Sequence, residues 1–150
     1  ARAKLAERHR RGFEAAGADD VEVVSGEADG RSFGARLRAL VREAGAGGFV
    51  VMGSGSIPLA TLADHRAFVD AGRSSDLRAL ANDRFSADVV SIARINRLPA
   101  IPEFSGDNAM PRWLAEIAGY DVRDLRRHPD RNQRQDGSQI FPREDAGNAW

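Results

Sequence analysis

One short loop carries the residues best suited to holding a phosphate group. It covers residues 53–59, where two glycines let the backbone approach a ligand closely, Ser54 and Ser56 offer hydroxyl groups, and Pro58 fixes the exit of the chain. These residues, with Gly55 at their centre, favour a contact with a phosphate or a nucleotide. An ordinary turn between a strand and a helix explains them equally well, because the loop lacks the lysine of a P-loop.

A second polar cluster, residues 82–88, combines amide, carboxylate and guanidinium groups. Asn82 is expected at the end of a strand, beside the loop just described. Asp88 or Asp83 can supply a carboxylate for a metal ion, and Arg84 can meet a phosphate as a bidentate donor. A polar turn between two strands is the simpler interpretation of this cluster, and it stays open.

A third cluster lies where a helix is expected to start. Asp107 or Asn108 is a natural N-cap residue, and Pro111 is tolerated in a first helical turn, so helix capping explains most of this segment. The alternative is that Asp107 and Asn108 point into the same cleft, with Arg112 one turn further on and Trp113 packed beneath. Such a helix start would suit the recognition of a base, a sugar or an acidic group.

The composition excludes several classes of protein. Lys plus Arg number 22 and Asp plus Glu also number 22, so no overall charge draws the 150-residue chain to nucleic acid or to an anionic membrane. Cysteine is absent, which excludes disulfides, thiolate metal sites and thiol catalysis. No apolar run approaches the roughly 20 residues of a membrane span, and the chain opens on an amphipathic helix, so we predict a cytoplasmic protein. The histidines, His9, His65 and His128, lack a metal-binding spacing and are predicted to lie on the surface.

The elements that must position these clusters alternate between helices and strands. Helices are predicted at residues 1–17, 32–43, 61–72 and 109–118, and the third begins at a capping box formed by Thr61 and Asp64. Strands are predicted at residues 21–24, 49–52, 77–81, 87–93 and 120–125. Residues 49–52 are apolar without alternation, which predicts a central parallel strand covered on both faces.

This order of elements predicts an α/β fold of three layers, Rossmann-like, with a mostly parallel sheet and helices on both faces. In such sheets ligands bind beyond the carboxyl ends of the strands, where the loop at residues 53–59 is expected. Residues 1–127 are predicted to form one domain, and residues 128–150 a polar, disordered tail. Because the chain opens inside a helix, we expect a further strand and loop to precede it.

Residues 50–61, Val-Val-Met-Gly-Ser-Gly-Ser-Ile-Pro-Leu-Ala-Thr, resemble a segment of the nucleotide-diphospho-sugar transferase superfamily. That segment reads apolar strand, Asp, Ile/Leu-Pro-Leu and helix, and it occurs in molybdenum-cofactor guanylyltransferases and 2-phospho-L-lactate guanylyltransferases. The resemblance extends to the preceding strand and helix, and so covers roughly residues 1–125. It implies a fold of the GT-A type, and an enzyme that uses Mg²⁺ to transfer a nucleotidyl group from a nucleoside triphosphate to a small phosphorylated or acidic acceptor.

Under this hypothesis the catalytic residues are Ser56 and Asp88. Ser56 stands directly before Ile-Pro-Leu, where the family places the Asp that binds the metal, and Asp88 or Asp83 replaces that carboxylate. The residues expected to bind substrate are Ser54, Gly55, Asn82, Arg84, Asp107, Asn108 and Arg112. A serine hydroxyl is a poor ligand for Mg²⁺. The second hypothesis is therefore a binding module that has kept the fold and a ligand or partner but lost catalysis.

Overall fold

The computed structural model describes residues 2–23, 33–53, 57–104 and 109–126. The helices in these ranges are α1 (Arg2–Ala15), α2 (Phe33–Ala44), α3 (Leu62–Gly72) and α4 (Ala109–Glu116), and a single 3-10 turn covers Ile95–Arg97. The strands are β1 (Phe49–Met52), β2 (Arg78–Ala81), β3 (Val89–Ile92) and β4 (Asp121–Asp124). The prediction of an α/β fold is confirmed.

Short sequence signals fix the ends of three helices. The Oγ1 atom of Thr61 accepts a hydrogen bond from the Asp64 amide at 3.2 Å, and Asp64 Oδ2 accepts one from the Thr61 amide at 2.8 Å, so the predicted capping box is confirmed. Beyond α1 and α4, Gly17 and Gly119 take φ angles of +99° and +79°, a conformation that favours glycine and ends a helix. The four predicted helices agree with the structure to within two residues at each end.

The four described strands form one mixed sheet in the order β1-β3-β2-β4. Strand β3 runs antiparallel to both of its neighbours, with Met52 opposite Val89 and Ala81 opposite Val90, whereas β4 is parallel to β2. The prediction of a mostly parallel sheet is wrong for these strands. Only the seven residues 82–88 join β2 to β3, and a parallel crossover needs about a dozen or more.

Strand β1 lies at one edge of the described sheet rather than at its centre, so its predicted central position is wrong. All four of its residues are half-buried. All four residues of β1 are apolar because both faces of this edge strand are covered by apolar side chains. Phe49 and Val51 pack against one cluster of buried residues, while Val50 and Met52 pack against the other.

Residues 21–23 do not form the predicted strand, and Val24 lies outside the described residues. Val21 instead packs, partly buried, against the cluster that contains Phe13 and Phe68. Val23 is 45% exposed. The β-branched residues of this segment therefore serve a loop contact at Val21 rather than a strand pairing.

Buried side chains lie on both faces of the sheet, because successive residues of a strand point to opposite sides. One cluster joins alternate residues of β2 and β3 to Leu37 of α2 and Leu114 of α4. The other joins the intervening strand residues to Phe13 of α1 and Phe68 of α3. None of the helices in the described ranges is both long enough and apolar enough to cross a membrane.

A buried hydroxyl and a close backbone approach fasten α3 to the sheet. Ser91 of β3 is fully buried, and its Oγ donates to the backbone oxygen of Phe68 at 2.6 Å. Gly48, just before β1, lies so close to Gly72 that a side chain at Gly48 would collide with the Gly72 backbone. The end of α3 and the start of β1 therefore meet backbone to backbone.

Tyr120, directly before β4, is hydrogen-bonded to the chain that follows β3. Its hydroxyl donates toward the backbone oxygens of Ala93, at 2.7 Å, and Arg94, at 3.0 Å. Burial raises the pKa of the phenol above its ordinary value. The hydroxyl therefore stays protonated and remains a donor to this corner of the chain.

Candidate ligand site at the strand ends

Three strands end and one begins at the same edge of the sheet. The register places Met52 of β1 beside Val89 of β3, and Ala81 of β2 beside Asp124 of β4. Ligands of open α/β sheets bind beyond carboxyl ends such as these, because loops and helix starts converge there. We call this edge the strand-end surface and define it as residues 53, 57–61, 82–88 and 124–125.

Predicted site residues meet at this surface. The Gly53 amide donates to the backbone oxygen of Asp88 at 3.0 Å, and the Asp88 amide donates to Asn82 Oδ1 at 2.9 Å. Asn82 thus lies at a strand end beside the start of the 53–59 loop. The other predicted residues of that loop lie outside the described residues: Ser54, Gly55 and Ser56.

Asn82 has a structural role in the hairpin between β2 and β3. Its side-chain Oδ1 accepts from the backbone amides of both Asp88 and Val89, at 2.9 and 3.0 Å. Its backbone amide donates to the backbone oxygen of Val89 at 3.2 Å. The acceptor capacity of the side-chain oxygen is therefore used within the turn. A ligand at this surface would meet the NH₂ group of Asn82, which can donate but not accept.

Arg84 links the same hairpin to β4. Its amide donates to Asp124 Oδ1 at 2.9 Å, and its Nε lies 3.5 Å from Asp124 Oδ2. The guanidinium also lies 5.6 Å from the ring centre of Phe85, which is 72% exposed. Because an exposed ion pair contributes only about 0–1 kcal/mol, a ligand phosphate can replace this partner at little cost.

The third predicted cluster is described only from α4 onward. Asp107 and Asn108 lie outside the described residues, and Arg112 is exposed in the first half of the helix. Helix α4 contributes to the same buried cluster as β4, and the turn at Gly119 joins the two. Among the contacts of the described residues, none joins Arg112 to the polar groups of the strand-end surface.

The donors available to a metal ion at this surface are few. In the described ranges, no three histidine, aspartate or glutamate side chains are grouped closely enough to hold one. Asp88 is exposed, and it adjoins the loop through its backbone contact with Gly53. Mg²⁺ commonly binds one or two carboxylates together with substrate phosphates. Asp88 and a bound triphosphate would therefore meet that minimum.

A pair of buried histidines lies behind the strand-end surface, contrary to the predicted surface positions of His9 and His65. His9, on α1, is 4% exposed, and His65, on α3, is 3% exposed. His65 Nδ1 lies 2.7 Å from the backbone oxygen of Thr61, and its Nε2 lies 3.1 Å from His9 Nδ1. Because the carbonyl can only accept, His65 Nδ1 carries a proton, and in the neutral ring Nε2 then accepts the proton of His9 Nδ1. His128 lies outside the described residues.

The sequence contained a signal for this pair. His9 is four residues before the buried Phe13, and His65 precedes the buried Phe68 and Val69 by three and four residues. Residues at these spacings share one face of a helix. Each histidine thus falls on the apolar face of its helix, where burial is expected.

Comparison of the chain with protein-family models, with curated proteins and with solved structures found no match.

Proposed function

We propose that the strand-end surface binds a nucleoside triphosphate, and that the protein transfers its nucleotidyl group to a small phosphorylated or acidic acceptor. The observation that carries the proposal is the meeting of Gly53, Asn82 and Asp88 at one edge of the sheet, where three strands end. The resemblance of residues 50–61 to nucleotide-diphospho-sugar transferases supports the same assignment. Both arguments include Gly53, and the contacts of Asn82 and Asp88 come from the structure alone.

Each polar group of the surface has a part in this proposal. Asp88 would hold Mg²⁺, which when bound neutralises charge on the triphosphate. The Arg84 guanidinium would exchange its exposed partner Asp124 for a phosphate oxygen. The NH₂ group of Asn82 would donate to the ligand, while its oxygen stays within the turn. Ser54, Ser56, Asp107, Asn108 and Arg112 remain the predicted contacts to the loop side and to the acceptor.

The chemistry asks little of the protein beyond binding and orientation. A phosphate or carboxylate acceptor is already ionised at neutral pH, so it needs no general base. Its oxygen forms a new bond to the α-phosphorus while the bond to the leaving pyrophosphate breaks. Such a reaction is accelerated mainly by holding the partners in line and by stabilising the charge that shifts to the leaving group.

We also infer that the complete fold is a three-layer, Rossmann-like arrangement of the GT-A type. Apolar side chains of α2 and α4 on one face of the sheet, and of α1 and α3 on the other, support this inference. In this arrangement the sheet is mixed, because β3 runs antiparallel to β1 and β2.

Calorimetric titration with a nucleoside triphosphate tests the proposal directly. We expect GTP, ATP, CTP or UTP to bind in the presence of Mg²⁺, and Asp88→Asn to weaken that binding by about tenfold or more. The matched control is Asp70→Asn, which removes an exposed carboxylate from the last turn of α3 and should leave the affinity unchanged. If none of the four nucleotides binds, the proposal is refuted.

A binding module without catalysis is the second candidate function. Two observations favour it: the oxygen of Asn82 is already used by the backbone, and Ser56 stands where related enzymes place a carboxylate. The variant Ser56→Asp distinguishes the two functions in an assay of pyrophosphate release. A binding module that has lost only its metal ligand should gain Mg²⁺-dependent turnover, whereas an enzyme built around Ser56 should lose the turnover that it had.

A further inference from the structure

The last residues of the predicted phosphate loop belong to a strained turn at residues 57–60. Ile57, a β-branched residue, has a φ of +34°, in a region that such residues avoid. The turn is closed by the Ala60 amide, which donates to the Ile57 oxygen at 3.0 Å, with Pro58 and Leu59 between them. An unfavourable backbone conformation persists only where surrounding contacts enforce it. Something outside the turn must therefore hold it.

Arg8 of α1 supplies those contacts. Its Nη1 donates to the backbone oxygen of Pro58 at 2.7 Å, and its Nη2 donates to that of Ala60 at 3.3 Å. The two carbonyls flank Leu59, which is 77% exposed and so adds little packing of its own. A planar guanidinium presents two donors at a fixed separation, and it can hold both carbonyls at once.

The next residue of α1 continues the same attachment. His9 is hydrogen-bonded to His65, and His65 donates to the Thr61 oxygen, one residue beyond the carbonyl that Arg8 holds at Ala60. Gly12, one turn further along α1, leaves room for the His65 ring, since a side chain there would collide with it. Helix α1 therefore holds the chain directly at Pro58 and Ala60, and it contacts His65 of α3, which is bonded to Thr61.

We infer that Arg8 is a positioning residue for the strand-end surface: by holding the carbonyls of Pro58 and Ala60 it fixes the turn at residues 57–60, which forms part of that surface. The inference rests on the proposed function in that it takes this surface to bind a nucleotide. Arg8 acts through the turn and not as a charge on the ligand, because its guanidinium is directed at the two carbonyls.

Hydrogen exchange of the ligand-free protein tests the positioning role without reference to function. Arg8→Ala should accelerate exchange of the Ala60 amide, because the turn loses the two hydrogen bonds from Arg8. Free guanidinium ion, added at a non-denaturing concentration, should slow the exchange again. Arg8→Lys should behave like Arg8→Ala, since one ammonium group cannot hold both carbonyls in this geometry. Arg11→Ala is the control: Arg11 is exposed on the same helix and pairs with Glu7, so the exchange should not change.

Nucleotide affinity then separates positioning from charge. Titration with Mg²⁺ and whichever of GTP, ATP, CTP and UTP binds the wild-type protein should show the affinity of both Arg8 variants lowered by about tenfold, a change similar to the loss of one hydrogen bond. Circular dichroism of each variant establishes that it is folded. Wild-type affinity in Arg8→Lys would assign Arg8 a charge role and overturn the inference, as would unchanged exchange at Ala60 in Arg8→Ala. If the wild-type protein binds no nucleotide but the Ala60 amide still exchanges faster in both variants, the proposed function is refuted. The role of Arg8 in holding the turn is then still supported.

Discussion

Asn82 offers a direct test of whether the hairpin between β2 and β3 depends on its side-chain oxygen. Asn82→Ala removes two hydrogen bonds, from the amides of Asp88 and Val89. At about 0.5–1.5 kcal/mol for each bond, and with one amide more exposed than the other, we expect a loss of about 2 kcal/mol. For a chain of this size that loss lowers Tm by roughly 4–8 °C.

The comparison with Asn82→Asp isolates the oxygen. Aspartate keeps an acceptor in the same place, but it adds a negative charge near Asp83 and Asp88, so we expect it to stay within about 1 kcal/mol of wild type in moderate salt. Thermal and urea unfolding followed by circular dichroism measure both variants. If Asn82→Ala is as stable as wild type, the two hydrogen bonds contribute nothing measurable and the structural assignment of Asn82 is refuted. If Asn82→Asp is as unstable as Asn82→Ala, the oxygen is not the group that matters.

Three further substitutions test a hydroxyl beside the sheet, a helix–helix contact and an ion pair within α1. Tyr120→Phe removes a hydroxyl shared by two carbonyls and should cost about 1–2 kcal/mol. Because the pKa of Tyr120 is raised by folding from 10.0, the wild type loses stability as pH rises above that value and the unfolded phenol ionises first; the variant should lack this loss in alkaline urea titrations. Gly12→Ala should destabilise by about 1–3 kcal/mol in thermal unfolding, despite the better helix propensity of alanine, because its Cβ would lie 2.6 Å from the His65 ring. Arg10 lowers the pKa of Glu7 to about 2, so Glu7 stabilises the fold above its ordinary 4.5 and this contribution is lost as the pH falls toward 2; Glu7→Gln should show a smaller acid-induced drop in Tm over that range.

Each of these three has a contrary outcome. An unchanged alkaline titration in Tyr120→Phe would mean that another group causes the high-pH loss. A Gly12→Ala protein more stable than wild type would show that the His65 ring is free to move aside. An acid transition in Glu7→Gln identical to that of the wild type would remove the pair with Arg10 from the account of acid stability.

Local signals in the sequence were sufficient to place the four described helices. Thr61 and Asp64 occur at the spacing of a capping box, and the capping box is formed. Gly17 and Gly119 follow the last turns of α1 and α4, where their positive φ angles end the helices. These interactions connect residues a few positions apart, so the sequence pattern contains both partners.

The directions of the strands depend on the lengths of the connections between them, which the pattern of apolar residues does not give. The predicted strands at 77–81 and 87–93 leave five residues between them, too few for a crossover and enough for a hairpin. That count alone predicts the reversal of β3. The edge position of β1, in contrast, depends on which distant strand pairs with it, and no local pattern specifies this.

Part of the candidate site could also be predicted from the sequence. The general rule for strand ends predicts Asn82 beside the 53–59 loop, where the structure has it. Asp88 lies there because β3 runs antiparallel to its neighbours, a direction that the prediction of a mostly parallel sheet did not include. The contacts of Arg8 could not be predicted, since they join α1 to a turn 50 and 52 positions further along the chain, and the sequence does not reveal how the two pack. The roles of the predicted site residues stay predictions, to be decided by the titrations above.

The buried hydroxyl of Ser91 has a consequence for folding specificity. An apolar helix face on an apolar sheet can slide by one turn at small cost, because the hydrophobic effect is non-directional. A slide of α3 would separate Ser91 from the Phe68 carbonyl and leave a polar group unsatisfied in a fully buried position. The Ser91 hydrogen bond, together with the close approach of Gly48 to Gly72, thus favours the observed position of α3 over one shifted by a turn. Thr61 caps α3 and His65 lies on it, so the position of α3 on the sheet also determines where these two residues lie relative to the strand ends.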